Sequence, residues 1–200
     1  MRFRIATSLL SMLVLHACAT PEVLEPRNPV APEGVDFSGY WIIREDSGDD
    51  RQRMTEAVDR ATNGTNIPIP RNSSRRAEHG TRSSRRGRQE GQVLVFLENG
   101  ELLKITQTAD GIFVSFDRSV VEEFRFGENR MISVGEITAQ RVSGWEGQDY
   151  VVETLDKGGM KLTERLTLTQ NGQVLRRHIV FRGDDLQEVT MEQIFDRKPG

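Results

Sequence analysis

From Val93 onward, apolar and polar residues alternate with a period of two, the pattern of strands that bury one face. Turn-forming residues interrupt the alternation at short intervals: Glu98-Asn-Gly, Ala109-Asp-Gly, Gly127-Glu-Asn, Gly144-Trp-Glu-Gly, Gly158-Gly, Asn171-Gly and Gly183-Asp-Asp. Strands are predicted over 93–97, 102–108, 112–117, 120–126, 131–142, 149–156, 160–170, 173–182 and 186–196, with an earlier aromatic strand at 37–43. Short antiparallel strands joined by tight turns point to an all-β fold, an antiparallel up-and-down barrel over residues 37–197. Between the first strand and the rest the period changes. Met54, Ala57, Val58 and Ala61 fall at helical spacing, which predicts one short helix inside a long first loop, 44–92.

Turn length fixes register, so the last hairpins can be read in detail. With Asn171-Gly172 as a two-residue turn, Leu162 faces Phe181, Glu164 faces Ile179, Leu166 faces Arg177 and Leu168 faces Leu175. The opposite face carries Lys161, Thr163, Arg165, Thr167, Arg176, His178 and Arg182, so both strands agree on the inward side. At the next turn, a two-residue connection would bury Glu188 and Glu192, which is costly without partners. A three-residue loop instead turns Val189, Met191, Gln193 and Phe195 inward. Three polar residues then share the interior, Glu164, Arg177 and Gln193, with the first two diagonal neighbours within reach of each other. They form either a structural buried ion pair or a polar anchor for a ligand.

The N-terminus follows another rule. Arg2 and Arg4 precede an apolar run from Ile5 to Leu15, which is a secretory signal layout over 1–17 and too short to span a membrane as a helix. The chain has one cysteine, Cys18, at the end of that segment. Leu15-His-Ala-Cys18 resembles the lipobox of bacterial lipoproteins, which implies lipidation of Cys18. Ala19 after the cysteine implies sorting to the outer membrane. Ala17-Cys-Ala19 also fits an ordinary cleavage site, which would give a soluble periplasmic protein instead. Residues 18–36 hold Pro21, Pro26, Pro29 and Pro32 and read as an extended tether that holds the domain roughly 50 Å from the bilayer.

Charge narrows the partners. The net charge is -3, and loss of Arg2 and Arg4 with the signal makes the remainder more acidic, so bulk charge excludes a nucleic-acid binder. Residues 71–88 are the exception, with seven arginines against one glutamate and no aromatic residue. That segment reads as a solvated loop, or as a contact for anionic lipid or lipopolysaccharide. The three histidines, His16, His79 and His178, have no metal-ligand spacing, and no serine lies in a nucleophile elbow. No enzyme, metal or cofactor is expected.

Gly39-Tyr-Trp41 resembles the G-x-W of the lipocalin first strand, and the long loop after it resembles the lipocalin lid. That resemblance implies a lipocalin-like barrel in which Arg197 packs on Trp41. The FSGxW start, Leu103-Lys-Ile105-Thr-Gln107, the GWEGQ turn and the V-V-E-T strand are similar to a family of uncharacterised lipocalin-like lipoproteins of proteobacteria. The T-D-Y motif of many lipocalins is absent. The expectation is a membrane-anchored envelope protein whose barrel binds a small apolar or amphipathic ligand. The alternative is an interaction module that works through the basic loop or a sheet face.

Overall fold

The computed structural model describes residues 22–44, 92–183 and 188–199. Among these, ten antiparallel strands make one sheet: β1 (Gly39–Ile43), β2 (Leu102–Gln107), β3 (Gly111–Phe116), β4 (Val120–Arg125), β5 (Glu128–Val134), β6 (Ile137–Glu146), β7 (Asp149–Asp156), β8 (Lys161–Thr169), β9 (Val174–Arg182) and β10 (Glu188–Arg197). The order runs β4-β3-β2-β1-β10-β9-β8-β7-β6-β5, so β1 joins β10 and the sheet curls into a nearly closed barrel. The all-β, up-and-down barrel expected from the alternation is the observed fold. Its one seam lies between β4 and β5, which follow each other in sequence yet share no ladder.

Two predicted elements differ. Residues 93–97 are not a strand; Gln92–Phe96 forms a 3₁₀ turn. Val93, Leu94, Phe96 and Leu97 are all buried, so this run has no polar face to give to solvent. It packs as a plug on Ala139, Met160, Leu162, Ile179, Phe181 and Met191. The single strand expected over 131–142 is the β5–β6 hairpin. Gly135, at φ +59, supplies the left-handed turn residue that splits it.

The C-terminal registers follow the hairpin reading. Leu162 pairs with Phe181, Glu164 with Ile179, Leu166 with Arg177 and Leu168 with Leu175. Across the last turn Arg182 pairs with Glu188, which leaves five positions between the paired residues rather than three. The two loop lengths have the same parity, so Met191, Gln193 and Phe195 still turn inward and are buried.

Residues 22–36 are not a free tether. They run as a strap down the outside of β6 and β7 and then beneath the barrel into β1. Leu24 is buried with Val142 and Leu155, and its amide and carbonyl both bond the Gln140 side chain at 2.9 Å. Arg27 pairs with Glu146 and Glu153, while Glu22 pairs with Lys161 and Arg182. Burial would raise the Glu22 carboxyl, but the hydrogen bonds and charges of those two cations outweigh it and hold Glu22 below its usual range. Gly144 permits the approach, since a Cβ there would lie 2.6 Å from the Asn28 carbonyl oxygen.

Beneath the barrel, Phe37, Trp41, Trp145, Tyr150 and Phe195 form the floor of the larger core cluster. Arg197 lies 4.1 Å from the Trp41 ring centroid, a stacked cation–π contact. Its guanidinium donates to the carbonyls of Gly172 (2.7 Å) and Ser38. At Gly39 a Cβ would stand 2.6 Å from Arg197 Nη1. The glycine, the tryptophan and the arginine therefore form one packing unit that fastens β1 to the end of β10.

Candidate interior polar site

Alternation sends every second side chain of β8, β9 and β10 into the barrel, and in three cases that side chain is polar. Glu164, Arg177 and Gln193 are all buried, and they meet under the plug. Arg177 Nε donates to Glu164 Oε2 at 2.9 Å, and Nη2 donates to the same oxygen. Nη1 donates to Gln193 Oε1 at 3.1 Å, and Nη2 also donates to the Glu98 carbonyl at 2.8 Å. The guanidinium lies 5.2 Å from the Phe116 ring centroid. Such a set satisfies most of what a buried arginine needs. It fixes the residues that follow the 3₁₀ turn to the floor beneath them, so these three residues act first as a clasp for the plug.

A second arginine, which the sequence reading missed, is less well supplied. Arg141 of β6 faces inward at 4% exposure. It sits 5.9 Å from the Phe96 ring centroid and 5.2 Å from that of Phe124. Nη1 donates to Glu122 Oε2 of β4 at 3.0 Å, an ion pair that reaches across the seam. Nε is buried with no partner among the described residues. Treating 131–142 as one strand concealed Arg141; the Gly135 turn would have revealed it, because the parity of β6 then places Ala139, Arg141 and Ser143 on one face.

Side chains do at the seam what a backbone ladder does elsewhere. Ser143 Oγ donates to the Arg125 carbonyl at 2.7 Å, with the Tyr150 hydroxyl farther off at 3.4 Å. Burial pushes the Tyr150 phenol well above its ordinary range, so it stays protonated and a donor. Glu98 is also raised, first by burial and then by the charge of Glu122. Asp156 faces the plug; burial raises its carboxyl against the pull of the Met160, Gly158, Gly159 and Val93 amides. The interior therefore offers Glu98, Glu122 and Glu164 against Arg141 and Arg177, with Arg141 Nε, Trp145 Nε1 and Asp156 Oδ2 left without partners among the described residues.

Among the described residues no three metal-ligating side chains gather, and His178 lies on the outward register opposite Arg165. Cys18 and residues 71–88 lie outside the described residues, as does the helix expected at 51–61.

No protein-family model and no curated protein sequence matches the chain. Among solved structures, it is similar to secretory abundant heat soluble protein 4 from Ramazzottius varieornatus at 18% identity and a TM-score of 0.47, over 83% of this chain and 97% of that one. It is similar to the REP1-NXSQ fatty acid transporter at 13% identity and a TM-score of 0.44, over 82% and 98%. The N57A mutant of the fluorescent protein UnaG gives 13% identity and a TM-score of 0.43, over 82% and 97%. At that distance the likeness says nothing about what this chain binds.

Proposed function

We propose that this chain is a non-enzymatic bacterial envelope lipoprotein whose barrel takes a small apolar or amphipathic molecule beneath the plug. The observation that carries the reading is Arg141, a buried inward guanidinium whose Nε has no partner among the described residues. A buried donor left unpaired is costly, and a ligand oxygen placed there would remove the cost. Phe96 and Phe124 flank it and would face the apolar part of the ligand. Glu164, Arg177 and Gln193 would hold the roof over the molecule more than touch it.

Lipidation of Cys18 would anchor the domain to the outer membrane, facing the periplasm. The strap shortens the tether, because Glu22 is already clipped to Lys161 and Arg182. Four residues from Cys18 to Glu22 reach at most about 14 Å. That end of the strap lies beside the β7–β8 and β9–β10 turns, the end that the plug closes, so the mouth of the barrel would face the bilayer closely. The basic segment 71–88 precedes the plug in sequence and would meet anionic head groups.

The test is protein purified from its own envelope and extracted with organic solvent. A small molecule at near one equivalent is expected; an extract that holds none counts against the reading. Metabolic labelling with palmitate, lost in Cys18→Ser, checks the anchor independently.

A further inference from the structure

The outer face of β1–β3 carries a concavity that the interior site does not use. Tyr40, Lys104 and Ser115 lie side by side across the three strands, and Leu102 stands on the next row opposite Ile42. Ser115 is the small member of its row, between Lys104 and Val121, and the surface dips over it. The groove has a volume of about 540 Å³, and its described lining, Tyr40, Leu102, Lys104, Ser115, Arg118, Lys198 and Pro199, holds no carboxylate. That volume falls within the usual range for small-molecule sites, roughly 300–1,000 Å³.

Two features separate this groove from an ordinary solvated surface. The cations Lys104, Arg118 and Lys198 make no ion pair with any described residue, although most other cations of the outer face do. The position of Arg118 is also conformationally expensive. Asp117 and Arg118 form the β3–β4 turn with φ of +48° and +62°, a turn that ordinarily takes Asn-Gly or Asp-Gly. A long cationic side chain stands where glycine costs least. Asp117 holds the turn rigid, since its Oδ1 accepts from the Glu101 and Leu102 amides at 2.9 Å each. On the other wall, the Lys198 amide donates to the Tyr40 carbonyl at 2.8 Å. Tyr40 itself is 43% exposed, with Lys104 Nζ 5.7 Å from its ring centroid.

We propose that this groove is a second binding site, for a single anionic amphiphile whose phosphate or carboxylate meets Lys104, Arg118 and Lys198 and whose apolar part lies on Tyr40 and Leu102. Three cations with no ion-pair partner among the described residues, set around one hollow, supply charge complementarity and several donors at once. The aromatic and aliphatic floor supplies a surface that a bare anion does not use. The site is independent of Arg141 and of the plug.

The experiment titrates the purified full-length protein by calorimetry with short-chain dihexanoyl phosphatidylglycerol below its micelle concentration. Dihexanoyl phosphatidylcholine and inorganic phosphate serve as the two comparison ligands. Saturable binding of the phosphatidylglycerol is expected, with Arg118→Gly weakening it by about tenfold, the scale of one lost charge-assisted hydrogen bond. Glycine suits φ +62°, so that variant keeps the turn; Lys104→Ser is the second variant and is expected to act in the same direction. Equal affinity for phosphatidylcholine would overturn the anion claim. Equal affinity for inorganic phosphate would overturn the amphiphile claim, and unchanged binding in both variants would overturn the site. Arg141→Met removes the interior anchor and separates the two sites: binding that persists in Arg141→Met and weakens in Arg118→Gly belongs to the groove, whereas binding lost in Arg141→Met and kept in Arg118→Gly would place it inside the barrel.

Discussion

The two buried arginines sit on β6 and β9 of one barrel and in opposite circumstances. Arg177 projects from β9, whose backbone is bonded on both sides along nine-residue ladders. Its guanidinium is engaged by Glu164, Gln193 and the Glu98 carbonyl. Arg141 projects from β6, itself laddered to β5 and β7, but its side chain reaches toward the seam, where β4 and β5 share no ladder, and its buried Nε has no partner among the described residues. The same residue type is therefore fully engaged in one place and keeps an unpartnered donor in the other. Around Arg177 the neighbouring groups engage the guanidinium; beside the seam the Arg141 Nε–H, like the Trp145 Nε1–H near it, has no partner among the described residues.

Substitution should separate the two most sharply at Arg177. Arg177→Met leaves Glu164 buried without its cation, and a loss of about 3–5 kcal/mol in urea unfolding is expected. Adding Glu164→Leu should restore much of it, because the stranded charge goes too. If the single variant costs under about 1 kcal/mol, the clasp has no structural weight.

Gly144→Ala comes next in size. The new Cβ would meet the Asn28 carbonyl and the Arg27 side chain, and a cost of about 1–3 kcal/mol is expected as the strap lifts. Limited proteolysis should then cut within 22–30 faster than in the parent; unchanged cleavage would show that the strap is held elsewhere.

At Arg141 the expected stability change is small. Its partner Glu122 keeps 27% side-chain exposure, so Arg141→Met strands no fully buried charge and removes an unpaired donor. A cost below about 1 kcal/mol is expected. A loss like that of Arg177→Met would erase the contrast between the walls.

The smallest effect concerns Glu98, whose carboxyl burial and Glu122 raise above 4.5. A raised carboxyl penalises folding once it ionises. Its cost is therefore absent below pH 4.5, grows as pH rises from there to the folded value, and is constant above it. Glu98→Gln should be the more stable protein at pH 7 and should lose that advantage below pH 4.5. Denaturation at both pH values checks the sign.

The same contrast explains what the sequence disclosed. On the β8–β10 wall, alternation and turn residues agree, so Glu164, Arg177 and Gln193 could be placed inside from parity alone, even though the last loop is two positions longer than expected. At the seam no such agreement exists. Gly127-Glu-Asn looks like any hairpin turn, but β4 and β5 splay apart after it, and pairing is not a local property. The plug misled for a related reason: Val93-Leu-Val-Phe-Leu97 has strand-forming residues but no polar face, and burial on all sides decided its shape. The prolines of 20–36 suggested an extended tether but said nothing of Leu24, which docks the strap. Gly39, Trp41 and Arg197 were legible only through the family resemblance, since nothing local connects residues so far apart in the chain.

The claim that Arg141 marks the working side is tested most directly by native mass spectrometry of protein purified from its own envelope, with wild type, Arg141→Met and Arg118→Gly compared side by side. The account expects a bound small molecule on wild type and on Arg118→Gly, and occupancy reduced about tenfold or more on Arg141→Met, the scale of one lost charge-assisted contact. Equal occupancy in wild type and Arg141→Met, or none in either, would contradict it.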